Sequence, residues 1–349
     1  MVEAAARRQS GYRIHQWGQE PNWEEFPLRP PSAGEAEVRV QACGVGLTVL
    51  NCIAGSLSDD PSLLPRVPGH EIAAVVTTVG PEVSPDLIGR RVVAYFYLSC
   101  GSCPECVQGE DSRCRRLAGW VGVHRDGGYA PFTVLPVSNL IPLPEELDPV
   151  SATVVPDAVA TPVHVAERAG IEEGDRVAVI GAGGGVGIHM IQVAAMRGAQ
   201  VAGLDVTAEK LEEIESMGAR AVDSTEFSAL GSLFDDGPPT VVVDLLGSSV
   251  GSLWAIDELG TGGRLVNLTT FRDRPVPFES RDLVFRELSL LGSRYARKRE
   301  VEEAARLVAT GAVKAVIGEV TGPDGLLQLH DKLRSRRLVG RGALVWSEG

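Results

Sequence analysis

The stretch Arg176–Asp205, RVAVIGAGGGVGIHMIQVAAMRGAQVAGLD, constrains the fold more than any other. Arg176 to Ile180 is a short β-branched run of the kind found in parallel strands buried on both faces. Gly181, Gly183, Gly184, Gly185 and Gly187 follow, and Ile188, Ile191, Ala194 and Ala195 then recur at helical spacing. Val201 to Leu204 reads as a second strand ending on Asp205. Strand, glycine turn, helix and strand together make a βαβ unit.

A turn without Cβ atoms lets backbone approach a pyrophosphate closely. The helix N-terminus behind it offers free N–H groups and the positive end of the helix dipole. The turn reads G-x-x-G-x-x-G through Gly181, Gly184 and Gly187, with Gly185 and Val186 inside it, and so departs from strict G-x-G-x-x-G. Asp205 falls roughly 20 residues on, where a carboxylate accepts from both ribose hydroxyls of an adenosine and repels a 2′-phosphate. NAD(H) is therefore expected over NADP(H). A bare glycine-rich loop would explain the glycines, but not the whole arrangement around them.

A chain of 349 residues suits two domains, and 44% hydrophobic content supports a sizeable core. No apolar run reaches the ~18–20 residues of a membrane span. The run MVEAAARRQSGYRIHQWG lacks an apolar central segment, so no signal peptide is expected. A net charge of −13 argues against a nucleic-acid surface. Of the six cysteines, Cys100, Cys103, Cys106 and Cys114 cluster with C-x2-C-x2-C-x7-C spacing. Without an export signal, that clustering points to a metal in a cytoplasmic protein. Four thiolates close a tetrahedral zinc shell and leave no open position, so the zinc would be structural. An iron–sulfur cluster is the main rival, disulfides the lesser one.

Residues 1–100 read as β-rich, with strands over Glu37–Ala42 (half-exposed by its alternation), Ile72–Val79 and Arg91–Tyr97. A strand through Val134 follows the lobe, and the proline-rich Leu140–Pro149 reads as a link. Ser151–Ala169 has helical spacing and carries Asp157, Thr161 and His164. Beyond the βαβ unit, strands Thr240–Leu245, Arg264–Leu268 and Leu288–Gly292, with a helix around Ser252–Leu259, continue an α/β alternation. Lys298–Thr310 reads as an amphipathic helix, and Gly342–Trp346 as a strand of the first domain.

ACGVGLTVLN, PGHE, the four-cysteine lobe, VVPDAVATPVH, GAGGGVG and GRGAL together resemble the zinc-containing medium-chain alcohol dehydrogenase family over nearly the full length. The resemblance implies an α/β chain: a GroES-like β-rich catalytic domain (residues 1–155 and 297–349) interrupted by a Rossmann-fold dinucleotide-binding domain (156–296). It also implies a homodimer or homotetramer. Lys210 matches a position near the adenosine ribose, and Arg341 one that reaches the pyrophosphate.

The family's catalytic zinc usually takes a Cys from a G-[VI]-C-x-[ST]-D segment, the His of GHE, and a later Cys, Asp or Glu. Here the segment is Gly44-Val45-Gly46-Leu47-Thr48-Val49, so the ligand cysteine is Gly46 and the supporting aspartate is Val49. The usual proton-relay histidine is Asn51. Thr48, His70, Glu71 and Asp157 remain as the catalytic set. His70 and Asp157, with Glu71, form a harder and weaker shell for a catalytic zinc, whose presence stays open. Cys52 shares a face with Thr48 if that segment is helical. Cys43 and Cys52 otherwise read as small core side chains. Phe96 and Trp120 are candidate pocket walls or core.

These readings converge on an NAD(H)-dependent oxidoreductase of the alcohol dehydrogenase-like type, moving a hydride between nicotinamide and a small alcohol or carbonyl substrate. Zinc-independent reduction of an activated C=C bond is the enzymatic alternative. A non-catalytic dinucleotide-binding protein is the other.

Overall fold

A computed structural model describes residues 7–269, 275 and 278–347. The chain divides into two compact units, residues 1–157, 297–310 and 317–349 in the first, 158–296 and 311–316 in the second.

In the first unit, β1 (Arg8–Arg13) and β2 (Asn22–Pro27) pair as an antiparallel hairpin that no sequence pattern announced. The main sheet runs β14 (Ile317–Thr321), β15 (Arg341–Val345), β3 (Glu35–Val45), β4 (Glu71–Val79), β5 (Arg91–Ala94) and β7 (Leu140–Pro142), while β6 (Phe132–Pro136) pairs with β3. β3 is central, so the expectation of a half-exposed strand fails: both of its faces are largely buried. Its acidic positions are matched by partners rather than by water. Arg29 bonds Glu35 at 2.6 and 2.9 Å, and Arg7 and Thr77 each bond Glu37 at 2.8 Å.

Three other expectations are corrected. The expected link contains β7, which pairs with β5. The strand expected to reach Tyr97 ends at Ala94, although Tyr97 forms an isolated bridge to Trp120. The continuous helix expected over Ser151–Ala169 is a short helix Pro149–Ala152, a π turn Val155–Val159 and a helix Ala160–Ala169. Single π turns of this kind are found within helices, frequently at functional sites.

The second unit has six parallel strands in the order β10 (Arg220–Asp223), β9 (Gln200–Asp205), β8 (Arg176–Ile180), β11 (Val241–Asp244), β12 (Arg264–Asn267) and β13 (Ser289–Gly292). This is the Rossmann order, with its reversal beside β8. Ala178, Ile180, Ala202, Leu204, Val242 and Leu265 bring the sheet into one core with Trp254, Ile256 and Leu259. Ile188, Ile191 and Ala194 of the helix Gly187–Met196 face inward, whereas Ala195, expected on that face, is exposed and Val193 is buried. Among the described residues, no helix is long and apolar enough to cross a membrane.

Candidate active site and cysteine lobe

In the second unit, the glycine turn leaves β8 with Gly181 at φ +82°, a left-handed position that favours glycine. The N–H groups of Gly181 and Ala182 both donate to Leu204 O, at 2.8 and 3.0 Å, and so fasten the turn to β9. A Cβ on Gly187 would stand 2.3 Å from Gly181 O, so glycine is what lets the helix start this close to the strand. Gly184, Gly185 and Val186 are half-buried at the rim of the turn. Asp205, at the end of β9, accepts from Gly183 N–H at 2.9 Å and from Val206 N–H at 2.9 Å. Lys210 Nζ lies 3.6 Å from Oδ1, the oxygen that accepts from Val206. The acid, its lysine and the turn thus form one cluster.

In the first unit, four predicted residues from three separate segments meet: His70 and Glu71, Asp157, and Arg341. Across the sheet, Glu71 pairs in register with Gly44 and Gly44 with Ala343, so β4, β3 and β15 align there. Arg341 opens β15 and reaches Glu71 through Nε at 2.8 Å and Nη2 at 2.8 Å. The same Nη2 donates to Asp157 Oδ2 at 2.8 Å, and Asp157 is aimed there from the π turn. All three side chains are buried, Glu71 completely.

Burial lifts the Glu71 carboxyl above the usual range while Arg341 opposes that. Burial works against the Arg341 charge, but Glu71 and Asp157 more than offset it, so the guanidinium stays charged. His70 stacks on Phe96, with ring centroids 4.2 Å apart. Its Nε2 is buried without a hydrogen bond, 3.6 Å from Asp157 Oδ2.

Thr48 is half-buried on the helix Leu47–Ile53, so the helical condition for Cys52 is met. Yet Cys52 is not among the His70, Glu71 and Asp157 atoms close enough to share a metal. Burial, with the Asp157 carboxylate adding to it, pushes its thiol up to about 12. Cys43 is wholly buried, its Sγ filling space beside Gly69 and Gly128. Trp120 is half-buried against Tyr97 and His124, and Thr161 and His164 are buried on the helix Ala160–Ala169.

A catalytic zinc does not fit this set well. His70, Glu71 and Asp157 do bring one ligand atom each within 4.8 Å of one another. Both carboxylates, however, are already held by the guanidinium, and the set lacks the thiolate that the family's site usually supplies. A dication on Asp157 would stand within ~5 Å of Arg341, a repulsion of several kcal/mol even at an effective dielectric of ~20.

The lobe does fit its metal. Cys103 Sγ lies 3.4 Å from Cys106 Sγ and 3.9 Å from Cys114 Sγ. These separations bracket the ~3.8 Å edge of a tetrahedron with Zn–S near ~2.3 Å. All four cysteines are free, which removes the disulfide alternative. The Ser102 and Cys103 N–H groups hold the Cys100 thiol down to about 5, whereas burial, with Cys103 and Cys114 beside it, pushes Cys106 up to about 12.

Sequence reasoning had not anticipated the Arg341 contacts with Glu71 and Asp157, or the stacking of Phe96 on His70. The available signal was Gly44-Val45-Gly46, two glycines two residues apart on one face of an extended run.

Residues 32–145 match the alcohol dehydrogenase GroES-like domain family, and residues 185–310 the zinc-binding dehydrogenase family. An acryloyl-coenzyme A reductase from Metallosphaera sedula is 28% identical over 90% of this chain and 93% of its own. The structure of a cobalt- and zinc-bound thermostable alcohol dehydrogenase from Pyrobaculum aerophilum superposes with a TM-score of 0.87 at 30% identity, covering 97% of this chain and 100% of that one. An acetophenone reductase from Geotrichum candidum, solved in complex with NAD, gives a TM-score of 0.86 at 26% identity over 98% of both chains.

Proposed function

The chain belongs to the zinc-type medium-chain dehydrogenase/reductase family and is an oxidoreductase of the alcohol dehydrogenase-like type; within that type, we propose that it prefers NAD(H) and interconverts a small alcohol and its carbonyl compound. The single observation carrying the cofactor reading is the Asp205 carboxylate fixed on the Gly183 N–H at 2.9 Å. That contact holds an acid where ribose hydroxyls would lie and where a 2′-phosphate would be repelled.

NAD(H), when bound, accepts or supplies a hydride at C4 of its nicotinamide. Gly181, Gly184, Gly185, Val186 and Gly187 let the pyrophosphate approach the helix N-terminus. Lys210 accompanies Asp205 at the ribose. Thr48 donates to or accepts from the substrate oxygen, and His70 Nε2 is the second group available to that oxygen. Glu71 and Asp157 fix the charge around His70. Arg341, assigned to the pyrophosphate on the family pattern, is also the counter-ion of those carboxylates. Cys100, Cys103, Cys106 and Cys114 hold one structural zinc. A cytoplasmic homodimer or homotetramer completes the proposal; a reducing compartment keeps clustered cysteines available to the zinc rather than paired as disulfides.

A second reading, reduction of an activated C=C bond, is favoured by the acryloyl-coenzyme A reductase relative and by the missing thiolate at Gly46. There the substrate carbonyl is polarised further from the hydride and needs a weaker electrophile. Steady-state turnover on matched panels of alcohols, ketones, aldehydes, enones and enoyl thioesters separates the two. Carbonyl reduction with NADH is expected. Turnover confined to C=C substrates would replace the first reading with the second, and none on either panel would sink both.

A further inference from the structure

Gly46 has φ −137°, an extended conformation open to any residue, so its backbone does not demand glycine. The space does. A Cβ there would stand 2.3 Å from both Cζ and Nη1 of Arg341. Two residues earlier, a Cβ on Gly44 would stand 2.7 Å from Glu71 Oε2 and 2.8 Å from Glu71 Cβ. The two glycines therefore form a trough beside which the Glu71–Arg341 pair lies. The guanidinium sits where the ligand side chain at position 46 would have to begin.

We propose that Arg341 is the resident cation of this site, filling the volume and the charge role that a catalytic metal and its position-46 ligand would take. The argument is one of geometry and charge. Glu71 and Asp157 are two buried carboxylates from different elements, and Arg341 contacts both at 2.8 Å. Two buried carboxylates are held in their charged forms by a cation between them, and a guanidinium supplies it with directed donors that a point charge lacks. With Asp157 Oδ2 engaged, the neighbouring His70 Nε2, 3.6 Å away, is left buried without a hydrogen bond. Arg341 acts as a positioning residue, holding Glu71 and Asp157 around His70. The chemistry accordingly runs without a metal at His70, Glu71 and Asp157. This deepens the proposed function and rests on it only for its activity readout.

The test is a metal count by mass spectrometry on protein dialysed against excess zinc and then against buffer, alongside the same count for His70→Ala, Cys103→Ser and the double variant Gly46→Cys/Arg341→Gln. The wild type should hold one zinc per chain, unchanged in His70→Ala and lost in Cys103→Ser. The double variant should gain a second equivalent, and cobalt substitution should give it a new thiolate-to-metal absorption band. Wild-type turnover should survive a chelator that leaves the lobe zinc in place. Two zincs in the wild type, with one lost in His70→Ala, would overturn the proposal whether or not the double variant folds. If no substrate is turned over, the functional reading fails, while the metal count still decides this one.

Discussion

At the scale of single residues, Asp205 carries the clearest prediction. Its two oxygens meet backbone N–H groups and Lys210, so the carboxylate is aimed before any nucleotide arrives. Asp205→Ser removes the charge that repels a 2′-phosphate and shortens the reach to the ribose. Hydrogen bonds to a charged group contribute roughly 1.5–3 kcal/mol each, so the NADH-over-NADPH preference should narrow by about 10- to 100-fold in direct binding titrations. Loss of affinity for both nucleotides in parallel would mean that the variant had only loosened the turn. Equal or tighter NADPH binding by the wild type would sink the assignment itself. Asp205 was legible because its role depends on local spacing. Gly46 was only half legible. The sequence announced a missing ligand, but the guanidinium that fills the space comes from Arg341, which is brought there by the antiparallel pairing of β15 with β3.

At the scale of elements, local patterns identified those with strong periodicity and missed those defined by partners. β7 is three residues long and contains a proline, so only its pairing with β5 makes it a strand. The β1–β2 hairpin was hidden for the same reason. The cysteine lobe is the reverse case, an element specified by ligand spacing with little core. It also anchors a helix: Arg297, ahead of the helix Lys298–Ala309, bonds Glu110 of the lobe at 2.9 Å. Lys298 N–H reaches Asp111 at 3.4 Å. Losing the lobe metal should therefore loosen this helix as well. Cys103→Ser should release the zinc and destabilise the protein by more than about 4 kcal/mol, lowering its melting midpoint by on the order of 10 °C. Hydrogen exchange should rise in the helix Lys298–Ala309. An unchanged midpoint, or X-ray absorption showing iron in the wild type, would reject the structural-zinc assignment.

At the scale of the whole molecule, the alternation of strands and helices after residue 170 carries the Rossmann architecture in the sequence, because each parallel strand needs a crossover helix. The first unit was less legible, since its sheet joins strands from both ends of the chain and buries charges as pairs. That same burial shapes the pH dependence of stability. His330 is fully buried, with Tyr129 Oη 3.0 Å from its Nε2 and Glu20 Oε2 3.4 Å from its Nδ1. Burial lowers its pKa, and Arg334 adds to that, while Glu20 and Asp331 pull the other way. Tyr129 stays protonated because burial raises its own pKa well above the usual value. It can donate to a neutral His330 Nε2, leaving Nδ1–H to face Glu20.

A histidine depressed in the folded state binds its proton more readily when unfolded. Its contribution to stability is complete above the unfolded value of ~6.5 and is lost as pH falls through the lower folded value. Half-buried His124 is depressed as well, by burial and Arg66, and acts in the same direction. Unfolding free energy from denaturant titrations should thus fall between pH 7.5 and about 5.5, by up to ~1.4 kcal/mol per pH unit for each proton taken up. His330→Gln should be less stable at pH 7.5, having lost a packed and bonded ring, yet show a shallower slope on acidification, with His124 contributing to what remains. A variant slope as steep as the wild type's would show that His330 is not depressed and that its buried bonds survive protonation.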